Sequence, residues 1–284
     1  MLVTADRVFG GHLYVRNGKI AAISDDGTLP AREELDAAGL YVLPGILDCH
    51  AHINDPGFTW REDLPHASEA AAVGGVTTLI DMPLQNTPPL TSADAFANKL
   101  AVFEGRSLVD YAFWGGLVTD NTAELAGMDA VGAVGFKAFI APVPLGYSSV
   151  DMGLAREALF RIKAFGGLAG FHCEDHALIC AGEAKAKAGG GTRRAFLDSR
   201  PVVAEVIATA NVIELARETG ARVHICHVSH PRVAELVRRA QADGLSVTGE
   251  TCPHYLVFTE ENLLSCGTVF KCAPPLRTAE ARDG

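Results

Sequence analysis

The sequence predicts an α/β protein built as a (β/α)8 TIM-type barrel that lacks its last strand or strands and carries a small N-terminal β domain. Three observations predict it. From residue 45 onward short apolar runs alternate with longer stretches rich in Ala, Leu, Glu and Arg, the pattern of parallel strands joined by crossover helices. This rhythm persists through seven units, which favours a barrel closing on itself over an open sheet. The 284 residues, 48% of them hydrophobic and 20% charged, supply a core for one such barrel.

Residues 1–44 have a different texture. Leu2–Val3, Val8–Phe9, Leu13–Val15 and Ile20–Ile23 are short apolar pieces separated by the turn signals Asn17–Gly18 and Asp26–Gly27, so this stretch is expected to be a small β-sandwich portion made of hairpins. After Pro44–Gly45 the strand candidates are Ile46–His52, Val76–Met82, Asp110–Leu117, Val134–Ala141, Leu168–Cys173, Val223–Val228 and Leu245–Glu250. Between them His66–Val73, Ala93–Phe103, Leu154–Phe165, Val202–Thr219 and Pro231–Ala242 have helical composition, and Gly166 and Gly220 stand where a C-cap glycine belongs. Residues 45–284 therefore form the incomplete barrel. The sequence runs through Pro274–Pro275 into a helix pattern at Thr278–Asp283, and the expectation is that the parent reading frame continues beyond it.

Composition narrows the function. A formal charge of −10 argues against nucleic acid or an acidic membrane surface as partner, because both reward clustered Lys and Arg. No apolar run approaches the roughly 20 residues that span a bilayer. Seven dispersed cysteines, at 49, 173, 180, 226, 252, 266 and 272, read as reduced thiols in apolar runs, which points to the cytoplasm.

Chemistry concentrates at the C-terminal ends of predicted strands, where barrel enzymes build their sites. His50 and His52 lie two apart on the first strand, so their imidazoles share a face and can meet one metal ion. Lys137 sits in the apolar run Val134-Gly135-Phe136-Lys137-Ala138-Phe139-Ile140, where an ammonium is costly to bury. It snorkels to solvent, meets a buried carboxylate, or becomes a neutral amine that adds carbon dioxide and bridges two cations as a carbamate. His172 ends the next strand and His227 the one after. His224, three residues before His227, is assigned to the opposite strand face and read as a core histidine. His176, His230 and His254 fall at loop or helix starts.

Taken together, these residues and the strings around them resemble the cyclic amidohydrolases: dihydroorotases, hydantoinases and allantoinases. The matching strings are Leu43-Pro44-Gly45-Ile46-Leu47-Asp48-Cys49-His50-Ala51-His52, Gly74-Gly75-Val76-Thr77-Thr78, Gly135-Phe136-Lys137, Phe171-His172-Cys173-Glu174, Cys226-His227-Val228-Ser229, Glu250-Thr251-Cys252-Pro253-His254-Tyr255 and Lys271-Cys272-Ala273-Pro274-Pro275-Leu276-Arg277. The resemblance implies a metal-dependent hydrolase barrel with two divalent ions, zinc or else cobalt, manganese, nickel or iron. It implies that His50 and His52 bind the more buried ion, that His172 and His227 bind the more exposed one, and that Lys137, as N6-carboxylysine, bridges them. A hydroxide between the ions would then open a cyclic amide.

Within that resemblance, position 54 is Asn where dihydroorotases carry a carboxylate-binding arginine, and Pro142 stands where hydantoinases place a substrate-binding tyrosine. Asp81-Met82-Pro83-Leu84 and Asn54 look most like allantoinase, which implies conversion of allantoin to allantoate with substrate contacts from Asn54, Cys272 and Ala273. The family commonly has Ser at position 273. Its general-base Asp, on an eighth strand, has no counterpart after His254, so this chain alone is expected to be inactive or nearly so. The alternatives are a hydantoinase or dihydropyrimidinase, or a non-catalytic amidohydrolase-like scaffold. The resemblance also implies a homo-oligomer, tetramer or dimer, acting on a small cyclic amide or ureide.

Overall fold

The computed structural model describes residues 1–143 and 147–284. In the N-terminal stretch β1 (Leu2–Val3) pairs antiparallel with β2 (Val8–Phe9), and β3 (His12–Arg16) with β4 (Lys19–Ser24). Asn17 and Gly18 turn the second hairpin with φ of 52° and 72°, the paired positive values an Asn-Gly loop supplies. The other expected turn, Asp26–Gly27, leads into no strand; Asp26 instead accepts from the Ser24 hydroxyl at 2.5 Å and the Thr28 hydroxyl at 3.1 Å.

From residue 46 the strands are β5 (Ile46–Ala51), β6 (Val76–Asp81), β7 (Asp110–Phe113), β8 (Gly115–Gly116), β9 (Phe136–Phe139), β10 (Leu168–His172), β11 (Arg222–Ile225) and β12 (Val247–Gly249). They form two parallel sheets, β5-β6-β7 and β8-β9-β10-β11-β12, each in sequence order. One residue joins them: the Trp114 amide donates to the Asp81 carbonyl at 2.9 Å, and the next amide, of Gly115, donates to the Gly135 carbonyl at 2.8 Å. The third predicted strand is thus a single run with a kink, and the seven-unit rhythm becomes seven consecutive parallel strands. The run curls until its last strand faces its first, because Glu250, just past β12, hydrogen-bonds His50 on β5. This is the expected incomplete α/β barrel, open between β12 and β5.

Helices cover the outside. Ala93–Phe103, Val202–Thr219 and Pro231–Ala242 form over the stretches the composition indicated, and Gly166 and Gly220 follow their helices at φ of 77° and 65°. In Val202–Thr219 the buried residues Ala204, Ala208, Val212 and Ala216 recur every four positions, and with Glu205, Thr209 and Ile213 beside them they form a broad face that packs on the neighbouring helices Met152–Ala164 and Pro231–Ala242 and on β11. Phe103 meets Phe113 edge to face at 4.8 Å, worth roughly 0.5–1.5 kcal/mol beyond the area buried. Helices also form at Leu125–Ala130, His176–Ala188 and Arg193–Asp198, outside the expected stretches; the first and third have six residues each, too few to show a helical period.

Trp114 occupies the barrel interior and donates its indole N–H to the Cys49 carbonyl at 3.2 Å. A Cβ on Gly135 would lie 2.5 Å from its ring and one on Gly170 3.0 Å, so glycine at these two positions makes room for the indole. All seven cysteines are free, but Cys180 and Cys266 are exposed on helices, which corrects the expectation of core thiols at those two positions. No helix of the described residues is long and apolar enough to cross a membrane.

Candidate metal centre

Lys137 lies on β9 in register with Gly116 of β8 and Gly170 of β10. Side chains in register on parallel strands share a face, and the space that the two glycines leave beside Lys137 is taken by larger side chains from elsewhere: a Cβ on Gly116 would stand 2.8 Å from the Tyr147 hydroxyl and one on Gly170 3.0 Å from the Trp114 ring. The exposure of Lys137 is 0%, yet among the described residues it forms no ion pair. Its Nζ is 3.5 Å from His227 Nε2 and 5.1 Å from the Phe139 ring centre. The buried-carboxylate partner considered from the sequence is therefore not what surrounds it.

His227 is the hub of the histidines. Its ring centre is 4.7 Å from that of His172 and 5.3 Å from that of His50, which in turn is 5.3 Å from that of His52. His172 Nδ1 and His227 Nε2 face each other at 3.1 Å. The backbone of His227 is left-handed, at φ 41°, a conformation that costs a non-glycine residue on the order of 1–3 kcal/mol and clusters at functional sites. β11 ends at Ile225, so Cys226 and His227 no longer follow strand alternation. That corrects the separation of His224 from His227 by face: His224, in register with Gly170 and Thr248, also turns inward, with Nε2 3.4 Å from Glu250.

Two carboxylates back the imidazoles. His172 Nε2 is 2.7 Å from Glu174 Oε2, and His50 Nδ1 is hydrogen-bonded to Glu250 Oε1. Because an ionised carboxylate only accepts, each bond draws the ring proton outward and leaves the other nitrogen, His172 Nδ1 or His50 Nε2, with a lone pair. Burial opposes ionisation of Glu174 and Glu250, but hydrogen bonds from His172 to the first, and from His224 and His50 to the second, hold both below the usual carboxylate range. Desolvation in turn lowers all four imidazoles, His227 well below the ordinary value, and they are neutral at pH 7; His52 is the exposed one of the four. His227 Nδ1 is buried without a partner.

Around this cluster lie residues to which the sequence assigned no role of their own, some of them named only within the matching strings. Asp81 and Lys99, both buried, form an ion pair that also grips the chain just after His52: the Ile53 amide donates to Asp81 Oδ1 at 2.6 Å, and Lys99 Nζ donates to the Ile53 carbonyl at 3.3 Å. Arg200 joins Glu174 at 2.5 Å to Glu183 at 2.6 Å. Arg277 ties Glu205 at 3.0 Å to the Ser229 hydroxyl at 2.9 Å, two residues beyond His227. Glu174 follows His172 by two positions, and that same-face spacing was the signal available; the Lys99 and Arg200 contacts cross between elements and left none.

The expected substrate residues separate into two places. Asn54 is buried, its amide nitrogen 3.5 Å from the His52 carbonyl and its Oδ1 without a partner. Cys272 and Ala273 line a cavity of about 590 Å³ with Phe196, Arg200 and Lys271, and Arg200 links that cavity through Glu174 to His172.

Comparison with known proteins matches residues 39–232 to the family described as dihydro-orotase-like. The chain belongs to this dihydroorotase-like family. Among its relatives are allantoinases from Solibacter usitatus, 39% identical over 99% of this chain and 62% of the relative, and from Streptomyces avermitilis, 40% identical over 99% and 63%. The solved L-hydantoinase (dihydropyrimidinase) from Arthrobacter aurescens superposes with a TM-score of 0.93 at 38% identity, covering 99% of this chain and 63% of the other. The dihydroorotase-like chain thus spans a little over three fifths of the length of these relatives. Four histidines and Lys137, read from separate strings, meet at one end of its strands.

Proposed function

We propose that this chain carries the metal-binding part of a cyclic amidohydrolase whose substrate is allantoin. The observation that carries the reading is the convergence of His50, His52, His172 and His227 on the uncompensated amine of Lys137, with carboxylates on the outer nitrogens of two of the rings. These donors fit divalent cations: the imidazoles are neutral, and the buried, partnerless Nδ1 of His227 shows a ring committed to nothing else on its far side. In this reading His50 and His52 would hold one ion, His172 and His227 the other, and Lys137 would contribute to both.

Lys137 takes that role by adding carbon dioxide: the neutral amine forms an N–C bond, one proton leaves, and the carbamate has two oxygens to share. Two cations supply Lewis acidity, which acidifies water and polarises an amide carbonyl. In the reaction, water oxygen joins the ring carbonyl carbon, the ring C–N bond breaks, and the nitrogen takes a proton. Cys272 and Ala273 would meet the ureide through their backbone, with Lys271 and Arg200 lining the same cavity.

The allantoinase relatives favour allantoin, whereas the hydantoinase superposition favours a hydantoin or dihydropyrimidine ring. The test is to purify the chain with zinc, cobalt or manganese and labelled bicarbonate. Near-stoichiometric metal and a carbamate signal, both lost in Lys137→Ala, are expected. Equal and substoichiometric metal in the two proteins would sink the reading, and ring opening of hydantoin in preference to allantoin by a full-length version would transfer it to the second substrate class.

A further inference from the structure

Glu250 stands at the end of β12, across the barrel opening from β5, and its two oxygens face three donors. Oε1 meets His50 Nδ1, while Oε2 lies 3.2 Å from Cys49 Sγ and 3.4 Å from His224 Nε2. Behind it, the other nitrogen of His224 is 2.8 Å from the Thr248 hydroxyl, and the His224 ring lies 6.3 Å, centre to centre, from Trp114. These contacts run from Thr248 through His224 and Glu250 to His50.

We infer that Glu250 is a positioning residue that fixes His50 as the Nδ1-protonated tautomer and aims Nε2 into the centre, with His224 holding the carboxylate from behind. The inference rests on the metal reading above, to which it adds the group that prepares one of the proposed ligands. A carboxylate accepts only, so its bond to Nδ1 places the proton there. The contact matters more here than in the middle of the sheet, since β5 has a strand partner on one side only among the described residues.

A competing reading makes Glu250 itself a ligand, because one ligand atom each from His50, Cys226 and Glu250 lies within 4.8 Å of the others. Geometry weighs against it, because both oxygens already accept from donors: Oε1 from His50, Oε2 from Cys49 and His224.

The test has two readouts. In the metal-free, histidine-labelled chain, nitrogen NMR should find His50 protonated on Nδ1, with the signal assigned through His50→Gln. Glu250→Ala should give a tautomer mixture. Glu250→Gln, which keeps the shape but leaves one accepting oxygen for three donors, should do the same, and it serves as the folded control if the alanine variant is unstable. Zinc affinity at the His50 and His52 ion should fall about 10- to 100-fold in both variants. Nδ1 protonation that persists in both variants, or Nε2 protonation in the unsubstituted chain, overturns the inference; so does a thiolate charge-transfer band on adding cobalt. A chain that binds no divalent ion at all would sink the metal reading instead, and the tautomer measurement would still decide the role of Glu250.

Discussion

β5 and β11 both deliver histidines to the centre, but from different surroundings. Ile46 and Leu47 of β5 are 54% and 58% exposed, whereas Val223 and Ile225 of β11 are 0% and 1% exposed between β10 and β12. The central strand is fixed by its neighbours' backbones and by helix packing, so it can hold His227 in a left-handed conformation. The edge strand has fewer such supports. His50 and His52 depend instead on side chains arriving from elsewhere: Asp81 and Lys99 on Ile53, Trp114 on the Cys49 carbonyl, and Glu250 on His50. One end of the centre is organised by the sheet and the other by polar contacts.

Breaking those contacts gives the largest expected effect. Lys99→Met strands the buried Asp81 carboxylate and should cost about 3–5 kcal/mol in urea unfolding, because an uncompensated buried charge keeps its full desolvation penalty. A loss below about 1 kcal/mol would mean that the pair does little to hold the edge. In the central strand, Ile225→Ala should cost about 2–5 kcal/mol through lost burial and a residual cavity.

Protonation acts on both ends at once. Buried His172 is held below the value of about 6.5 that an unfolded chain has, so on falling below that pH the unfolded chain binds the extra proton first. The contribution is therefore intact above about pH 6.5 and is lost as pH falls below it. The other three imidazoles are lowered in the same direction. The metal-free chain should therefore lose stability steadily as pH drops below about 6.5, measured as the urea midpoint at pH 7.5, 6 and 5. A midpoint independent of pH would show that these rings are not buried neutral.

The smallest effects sharpen the contrast. Ser92→Ala removes the hydroxyl that caps the helix bearing Lys99 and should cost about 1 kcal/mol by thermal unfolding. Leu47→Ala, at the exposed edge, should stay within about 0.5 kcal/mol. A Leu47 penalty as large as that for Ile225 would show that β5 is covered in solution.

Much of this was legible in the residues themselves. The alternation of apolar runs with helical stretches gives seven strands in order, since a strand followed by a crossover helix returns parallel to its neighbour. His50 and His52 share a face through a spacing of two, and Lys137 stands out because an amine in an apolar run has to be neutralised. Tertiary structure alone decided that Lys137 lacks a carboxylate, that His224 turns inward, and that Glu250, some two hundred residues along the chain from His50, reaches its ring. Periodicity is a local property of the backbone and can be read along a chain. The partner of a buried charge is set by how elements pack across the barrel, and the order of residues does not encode that where it can be read one window at a time.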